Sequence, residues 1–450
     1  MSNKAQLIVE GRKLAVWYGV ALTRSRRFVL SGSRRVATIG DMKTTRFMLL
    51  ASIVCCTTAF TLDSAPGGAL SKQDGVRTEN ALISRTTGAE NSPMRFGALE
   101  RNTTGSETPL ADVNWRATGD LNAGRIYDTA TLLQDGMVLV AAGFDPHLGF
   151  LSSAELYDPV ARSWTATGSL NTARRDQTAT LLQDGTVLIA GGDMENLVFI
   201  ASVELYDPAS ATWNFTGRLN SARAGHTATL LQNGMVLVAG GVDRAGSLRS
   251  AELYDSTSGT WTVTGDLNTK RGFHTATLLS NGMVLVAGGD NFGALASAEL
   301  YDAASGTWSV TGSLNTARDQ GHTATLLQNG MVLVAGGTDV VQVFGEAELY
   351  DPASGTWTVT GRLHKPRNYH TATLLENGMV VVAGGLKLTV NKPTELYDPA
   401  SGTWTTTGDL NRRRFGHTAT LLQDGAVLIT GGEGKHNNAL TSAEVGQLHP

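Results

Sequence analysis

A stretch of sixteen residues recurs seven times along this 450-residue chain, and the repetition constrains the fold more than any single motif. One copy, HTATLLQNGMVLVAGG, runs from His226 to Gly241. The other copies begin at Asp128, Gln177, His274, His322, His370 and His417, at intervals of 47 to 49 residues. A fixed period of this length is typical of solenoids and propellers, in which each repeat is one supersecondary unit.

Each repeat divides into four short runs that resemble strands. The first two, such as HTATLL and MVLVAGG, are joined by Asn-Gly or Asp-Gly, a dipeptide that accepts positive φ at both positions and favours a type I′ hairpin. A third run, AELYD, and a fourth, TWTVTG, follow with a turn such as PASG between them. All four are rich in Val, Thr, Leu, Tyr or Trp, and helix signals are missing. The repeat is predicted to be a four-stranded antiparallel meander.

Both faces of this meander are apolar, so one copy is unstable without neighbours on both sides. Radial stacking of the copies predicts an all-β fold, a seven-bladed β-propeller. Trp115 precedes the first copy, whereas the last copy is followed by SAEV and no Trp. The run from Asn114 to Gly119 is therefore expected to be the outer strand of the last blade. This arrangement closes the ring and hides two strand edges.

The spacing of three features resembles the kelch motif: Gly-Gly after a hydrophobic strand, Tyr-Asp about a dozen residues later, and Trp six residues beyond. The repeat sequence TATLLQDGxVLVAGG is similar to that of bacterial kelch proteins related to the central propeller of galactose oxidase. The resemblance covers residues 113–450. It implies the fold and leaves the activity open, because kelch propellers include adaptors, receptors and a few enzymes.

The N-terminal quarter has a different character. Residues 1–50 hold ten Lys and Arg against Glu10 and Asp41, a net charge of +8. From Met42, basic residues, an apolar run and small residues predict a secretory signal peptide over 42–60, with 1–41 as an upstream extension. A transmembrane anchor is the alternative, but the apolar run is shorter than about 20 residues. A twin-arginine signal at SRRFVL lies too far upstream of that run.

Cys55 and Cys56 are the only cysteines, and both lie in the predicted signal peptide. A lipid anchor on either is a second alternative, although neither follows a small residue. The exported chain would have no disulfide, thiolate metal site or catalytic cysteine. Residues 61–112 are rich in Gly, Ser and Thr and are predicted to be a flexible stalk. We therefore expect a secreted or cell-surface protein, bacterial in origin, that contacts a membrane only through its signal or a lipid.

Charge excludes one class of partner. Residues 51–450 carry −4 − 8 = −12, which argues against nucleic acid as the main ligand.

Two repeated polar sets are predicted to be structural. The first comprises the histidines that begin five copies: His226, His274, His322, His370 and His417. Stacked sheets lie about 10 Å apart, whereas zinc ligands bind at about 2 Å, so no metal or other cofactor is predicted. The second set, one glutamate in each third strand, is predicted to form repeated hydrogen bonds: Glu155, Glu204, Glu252, Glu299, Glu348, Glu395 and Glu444.

A third set consists of arginines in the connection that enters each blade: Arg125, Arg174, Arg223, Arg271, Arg318, Arg367 and Arg414. They could brace acids of the loops after Gly-Gly: Asp145, Asp193, Asp243, Asp290, Asp339 and Glu433. Alternatively they could bind an anionic ligand, as the kelch resemblance implies, because some kelch adaptors bind acidic peptides with arginines here. In blade six Leu386 and Lys387 replace the acid, so Arg367 is expected to be unpaired. With Lys365, Lys387 and Lys392 it would form the most cationic sector.

The loops after Gly-Gly are where the copies stop agreeing, and variable loops on a rigid scaffold are the usual place for a binding surface. Their aromatic residues, Phe150, Phe199, Phe292 and Phe344, are predicted to be exposed anchors or, alternatively, plugs between blades.

These features predict a secreted kelch-repeat protein that binds a protein or a carbohydrate through one loop face. The alternative is a carbohydrate-active enzyme of the epimerase or lyase type, although no acid/base pair stands out from the repeats. A copper radical oxidase, the activity that the galactose oxidase resemblance suggests, needs a Tyr–Cys crosslink that the exported chain could not form. A third alternative is a purely structural surface protein.

Overall fold

The structure, a computed structural model, describes residues 112–339, 341–387 and 389–449. The predicted upstream extension, signal peptide and stalk lie outside the described residues, apart from Asp112. Within the described residues, seven four-stranded antiparallel sheets form the blades of a propeller. None of these residues forms a helix long and apolar enough to cross a membrane.

The first strand of each blade carries Thr-Ala-Thr-Leu and lies innermost, against the first strands of the neighbouring blades. Small Thr and Ala side chains suit a position where seven strands converge. These strands are Thr129–Leu132, Thr178–Leu181, Thr227–Leu230, Thr275–Leu278, Gln320–Leu326, Thr371–Leu374 and Thr418–Leu421.

The second strand of each blade is buried because it lies mid-sheet with another blade on each face. The second strands are Val138–Ala141, Val187–Ala190, Val236–Ala239, Val284–Ala287, Val332–Thr338, Val380–Ala383 and Val427–Thr430. The third strands are Ala154–Asp158, Val203–Asp207, Ala251–Asp255, Ala298–Asp302, Ala347–Asp351, Pro393–Asp398 and Ala443–His449. Side chains of adjacent blades interdigitate between the sheets, as Leu139 of blade one does with Val187 and Ile189 of blade two.

The fourth strand lies outermost and carries the repeated tryptophan. In blades one to six these strands are Ser163–Ala166, Thr212–Phe215, Thr260–Val263, Thr307–Val310, Thr356–Thr360 and Thr403–Asp409. Each Trp pairs in register with the Tyr of the third strand, and the rings of Tyr206 and Trp213 lie 4.9 Å apart. The indole N–H of Trp213 donates to the carbonyl of Gly168, 2.8 Å away, in the preceding connection. The tryptophan therefore links its blade to the one before.

The seventh blade is completed by the N-terminal strand, which confirms the predicted closure. Asp112–Ala117 pairs antiparallel with Ala443–His449, with Trp115 opposite Gly446. The glycine stands where the other blades have Tyr, and a Cβ there would lie 2.6 Å from the Trp115 ring. Trp115 is 6% exposed and donates from Nε1 to Thr394 Oγ1 at 3.2 Å.

The hairpin between the first two strands differs from the predicted type I′ turn. In blade one the Leu133 N–H donates to Met137 O at 2.8 Å, and the Gly136 N–H donates to Leu133 O at 3.1 Å. Gly136 has φ +88°, whereas Asp135 keeps negative φ and its Oδ1 accepts from the Met137 N–H. The prediction of positive φ at both positions is therefore wrong. This position favours Asp or Asn because the side chain accepts a hydrogen bond.

Three of the loops after Gly-Gly contain short hairpins of their own. Their strands are Phe144–Asp145 with Gly149–Phe150, Asp193–Met194 with Val198–Phe199, and Val242–Asp243 with Gly246–Ser247. A single 3-10 turn, Glu195–Leu197, lies within the second of these hairpins.

Candidate binding face and channel mouth

The connection that enters each blade and the loop after its Gly-Gly pair lie on the same side of the ring. Bridges join the two segments: Ile126 pairs with Phe144, Arg175 with Asp193, and Asn368 with Leu386. We call this side the loop face. The repeated residues on this face hold the variable loops in equivalent positions around the ring.

The seven repeated arginines are buried in ion pairs with the seven third-strand glutamates. The pairs are Arg125–Glu155, Arg174–Glu204, Arg223–Glu252, Arg271–Glu299, Arg318–Glu348, Arg367–Glu395 and Arg414–Glu444, with Nη2–Oε1 distances of 2.5 to 2.9 Å. All seven arginines are 0% exposed. In blade one, Nη1 also donates to the carbonyls of Ala142 and Ser153. The guanidinium thus joins the entering connection to the second and third strands.

This pairing corrects two predictions. The arginines do not brace the loop acids, because each guanidinium bonds to the second and third strands of its own blade, where a buried glutamate is its counter-charge. Four of the six loop acids cap their own loops instead: Asp145, Asp243, Asp290 and Asp339. Asp145 Oδ1, for example, accepts from the N–H groups of His147 and Leu148. Asp193 pairs with Arg175. Arg367 is paired with Glu395 rather than unpaired. With every guanidinium buried, this set presents no surface to a ligand on the loop face.

Each glutamate also accepts hydrogen bonds from the entering connection, in line with its predicted repeated bonding. Glu155 Oε2 accepts from the backbone N–H of Asn122 at 2.7 Å, and Oε1 accepts from that of Ala123 at 3.2 Å. The Asn122 side chain donates to Oε2 as well. The glutamate therefore anchors both the arginine and the backbone of the connection that enters the blade.

The five histidines bond from blade to blade. Nε2 of each lies 3.0 to 3.4 Å from a threonine hydroxyl of the preceding blade: His226 to Thr178, His274 to Thr227, His322 to Thr275, His370 to Thr323 and His417 to Thr371. Burial lowers the pKa of His226 to about 3 and that of His322 to about 4. These rings are neutral and structural at physiological pH.

The four predicted phenylalanine anchors separate into different roles. Phe344 is buried, with its ring 5.8 Å from Arg318 Cζ. Phe150 is half-buried beneath Arg175 Cζ at 5.2 Å. Phe199 is half-buried in its short strand, whereas Phe292 is 74% exposed. Phe344 and Phe150 behave as plugs, and Phe292 alone of the four offers a largely exposed apolar ring.

The predicted lysines remain available to solvent. Lys365 and Lys387 are exposed, and Lys392 is half-buried. Blade seven adds further cations beside them, and together we call these six residues the cationic sector: Lys365, Lys387, Lys392, Arg412, Arg413 and Lys435. None of the six forms an ion pair with another described residue.

The residues directly before the repeated His position (Asp128 in blade one and Gln177 in blade two) surround the central channel on the loop face. We call these seven the mouth ring: Tyr127, Asp176, Gly225, Phe273, Gly321, Tyr369 and Gly416. All have φ between +51° and +67°. Backbone bonds run between them from blade to blade, as from the Phe273 N–H to Gly225 O at 2.8 Å and from the Tyr127 N–H to Gly416 O at 3.2 Å. The backbone of the mouth ring is uniform although its side chains differ.

Several ionisable groups at this mouth have pKa values raised above their ordinary range. Arg175 Nε lies 3.4 Å from Asp193 Oδ1 and 3.6 Å from Asp176 Oδ2. Burial raises the pKa of Asp176 to about 6 against the opposing charge of Arg175. Burial also raises the pKa of Glu433 to about 7. Burial, with the charges of Asp176 and Glu433, raises the pKa of the Tyr127 hydroxyl above its ordinary range.

The sequence reasoning did not find the mouth ring. The signal is present, because the residue before the repeated His varies among Tyr, Asp, Gly and Phe within otherwise matching text. An equivalent position that holds different residue types in otherwise matching repeats marks where the symmetric fold becomes asymmetric.

Comparison with known proteins agrees with the fold. Residues 225–432 match the family model described as the KLHDC2/KLHL20/DRC7 Kelch-repeats domain. Together with the seven blades, this match identifies the repeat region as a kelch-type β-propeller. No curated protein matches the chain significantly. Among solved structures, it is similar to a fungal alcohol oxidase of the AA5 family determined with copper, at 18% identity and a TM-score of 0.62. That similarity covers 74% of this chain and 76% of the other, and at this identity it shows the fold alone.

A kelch propeller is a scaffold for interaction or for an enzyme site. No three His, Cys, Asp or Glu among the described residues are grouped so as to hold a metal ion. The five histidines are separated into blade interfaces instead.

Proposed function

We propose that this protein is a binding protein that holds an anionic ligand on its loop face, across blades six and seven. The observation that carries the proposal is the cationic sector, whose six side chains lack ion-pair partners among the described residues. Asp409 and Glu433 are the only carboxyls in the same described connections and loops. Of these, Glu433 is partly neutral near pH 7 because burial raises its pKa to about 7.

Hydrogen bonds support the grouping of these cations. The Asn368 N–H donates to Leu386 O at 3.0 Å, which joins the connection of Lys365 to the loop of Lys387. The Leu410 N–H donates to Lys392 O at 3.0 Å, and Arg413 Nη1 donates to Val390 O at 3.4 Å. The segments that bear the cations are therefore neighbours on one rigid surface.

The ligand that suits this surface bears several carboxylates or sulfates, as an acidic polysaccharide or an acidic protein segment does. Single exposed ion pairs contribute only about 0–1 kcal/mol, so useful affinity requires several contacts at once. Attraction over such distances weakens as salt shortens the screening length below about 8–10 Å.

The test is binding to arrays of sulfated glycans, uronate-containing glycans and acidic peptides at two salt concentrations. Replacing Lys365, Lys387 and Lys392 together with Ala should reduce binding of every array hit. The matched control replaces Arg244, Arg249 and Lys270, three exposed cations of blades three and four, and changes the net charge equally. Equal losses in the two triple variants would contradict a site in the cationic sector, and the class of array hit separates glycan from peptide.

Export from a bacterial cell is part of the proposal and rests on the sequence of residues 42–60. Expression from Met42 should release protein with a new N-terminus near Phe60. Soluble protein that retains residues 42–60 would contradict export by this signal. Membrane retention through a lipid on Cys55 or Cys56 would favour the lipoprotein alternative.

A further inference from the structure

Aromatic side chains and glycines pair around the mouth ring. A Cβ on Gly225 would lie 2.4 Å from the ring of Phe273, so this aromatic side chain covers the glycine of the preceding blade. Tyr369 covers Gly321 in the same way, with 3.3 Å from such a Cβ to Cγ. Tyr127 covers Gly416 at 3.2 Å. The Phe273 ring occupies the side-chain space of Gly225, so this glycine is required. A Cβ on Gly321 would also lie 2.6 Å from the backbone N of Tyr369, and one on Gly416 would lie 3.2 Å from Ile126 as well as from Tyr127.

Asp176 is the remaining member of the mouth ring and has no such pairing. Its side chain is 28% exposed, and its nearest charged partner is Arg175 at 3.6 Å, beyond hydrogen-bond distance. The aromatic side chain of blade one, Tyr127, lies beside it in the ring and forms an edge-on contact with Tyr369, with centroids 6.2 Å apart. One carboxyl therefore interrupts a mouth otherwise built from rings and glycines.

The charges at this part of the mouth do not balance. Arg175 contributes +1, while Asp176, Asp193 and Glu433 contribute −3 when ionised, so the four groups sum to −2. The Glu433 carboxyl has neither a hydrogen bond nor an ion pair to another described residue. Asn368, which directly precedes Tyr369, is 8% exposed, and its Oδ1 has no hydrogen-bond partner in the described chain. A positively charged ligand would neutralise the carboxylates and could donate a hydrogen bond to the unpaired acceptors.

The chemistry of the mouth restricts the kind of cation. Metal ligands are not grouped closely enough among the described residues, so a metal ion is a poor fit. Aromatic faces attract ammonium groups through the ring quadrupole, and carboxylates beside the rings strengthen that attraction. Tyr127 and Tyr369 supply the rings, and Asp176 and Glu433 supply the charge.

We propose that the channel mouth binds an organic cation, a protonated amine or a quaternary ammonium group, between the carboxyls of Asp176 and Glu433 and against the rings of Tyr127 and Tyr369. This site rests on residues other than the six cations of the proposed anionic site. The failure of one proposal therefore leaves the other standing.

The experiment titrates the purified full chain with tetramethylammonium and choline by calorimetry and ligand-observed NMR. Both cations should bind, whereas dimethylbutanol, the neutral carbon analogue of choline, should not. Asp176→Asn and Glu433→Gln should each weaken choline binding by about tenfold, and the double variant should abolish it. Glu195→Gln removes an exposed acid from a neighbouring loop and should leave choline binding unchanged.

A pH series provides a second readout that does not depend on the variants folding. Asp176 faces Arg175, Asp193 and Tyr127, and Glu433 faces Tyr127. Choline affinity should rise between pH 5 and pH 8 as Asp176 and Glu433 lose their protons, and binding should release protons near neutral pH. Binding of dimethylbutanol as tight as that of choline would overturn the proposal. So would choline binding that is independent of pH, or a folded double variant with parental affinity.

Discussion

The guanidinium of Arg367 and the carboxylate of Glu395 lie 2.5 Å apart, Nη2 to Oε1, and neither side chain is exposed to solvent. Arg367 also donates to the carbonyls of Gly384 and Pro393, so one residue holds three segments of blade six together.

We expect Arg367→Ala to destabilise the propeller by about 3–5 kcal/mol, because it leaves the Glu395 charge buried without a partner. Urea unfolding followed by tryptophan fluorescence measures the change. Arg362→Ala is the matched control, since it removes an exposed arginine of the same connection that lies 3.4 Å from Glu346. That variant should cost about 0–1 kcal/mol. Similar losses in both variants would contradict the bracing role of Arg367.

Ring closure predicts a sharp boundary for N-terminal truncation. A chain that begins at Asp112 should keep the melting temperature of the parent, whereas one that begins at Asp120 should melt well below it. The second truncation removes the strand that pairs with Ala443–His449 and discards Trp115. Loss of a buried Trp side chain alone costs about 3–5 kcal/mol. Equal melting temperatures of the two truncated chains would refute closure by this strand.

The buried histidines make the propeller sensitive to acid. Their folded pKa values lie below the ordinary 6.5, about 3 for His226 and about 4 for His322, because burial disfavours the charged ring. The unfolded chain therefore binds more protons as pH falls below about 6.5, and folding stability declines from there towards pH 4. Blade two carries Gln177 at the equivalent position, so His226→Gln should be tolerated and should reduce the slope of the urea midpoint between pH 6.5 and 4. An unchanged slope would show that His226 does not contribute.

Asp128 replaces histidine at the seam between blades seven and one, and it should act in the opposite direction. The residue is 7% exposed, both its carboxyl oxygens lack hydrogen-bond partners in the described chain, and burial raises its pKa to about 7. The folded state therefore favours the protonated carboxyl, and stability is lost as pH rises from about 4 through 7. Asp128→Asn should stabilise the protein at pH 8 by on the order of 1–3 kcal/mol, with a smaller gain at pH 5. Thermal melts at the two pH values measure this difference, and an equal effect at both would rule out titration of Asp128.

The fold was predictable because its signals are local and repeated. The period, the Gly-Gly pairs and the position of Trp115 are sufficient for seven blades and their closure, since the count of copies leaves one strand without a blade and one blade without a strand. The arginine partners were not predictable in the same way. Arg271 and Glu299 are 28 residues apart, and the choice between this glutamate and a nearer loop acid depends on the direction of the side chain.

The candidate sites show the same division. Lys365, Lys387 and Lys392 were found from the sequence, because an exposed charge needs only a loop to place it. The relation of Tyr127 to Asp176 required the structure, since 49 residues separate them and only the mouth ring makes them neighbours. The hairpin geometry at Asp135 was missed because an Asp-Gly dipeptide is compatible with two- and three-residue loops.

The number of blades has a consequence for the mouth ring. Aromatic residues and glycines can alternate without a break around the mouth ring only if the number of blades is even. This propeller has seven blades, an odd number. A perfectly regular pattern is therefore impossible here, and one place must break the alternation whatever the sequence. Asp176 occupies that place. A six- or eight-bladed relative built from the same units could seal its mouth without exception, whereas seven blades leave a position that is free to differ.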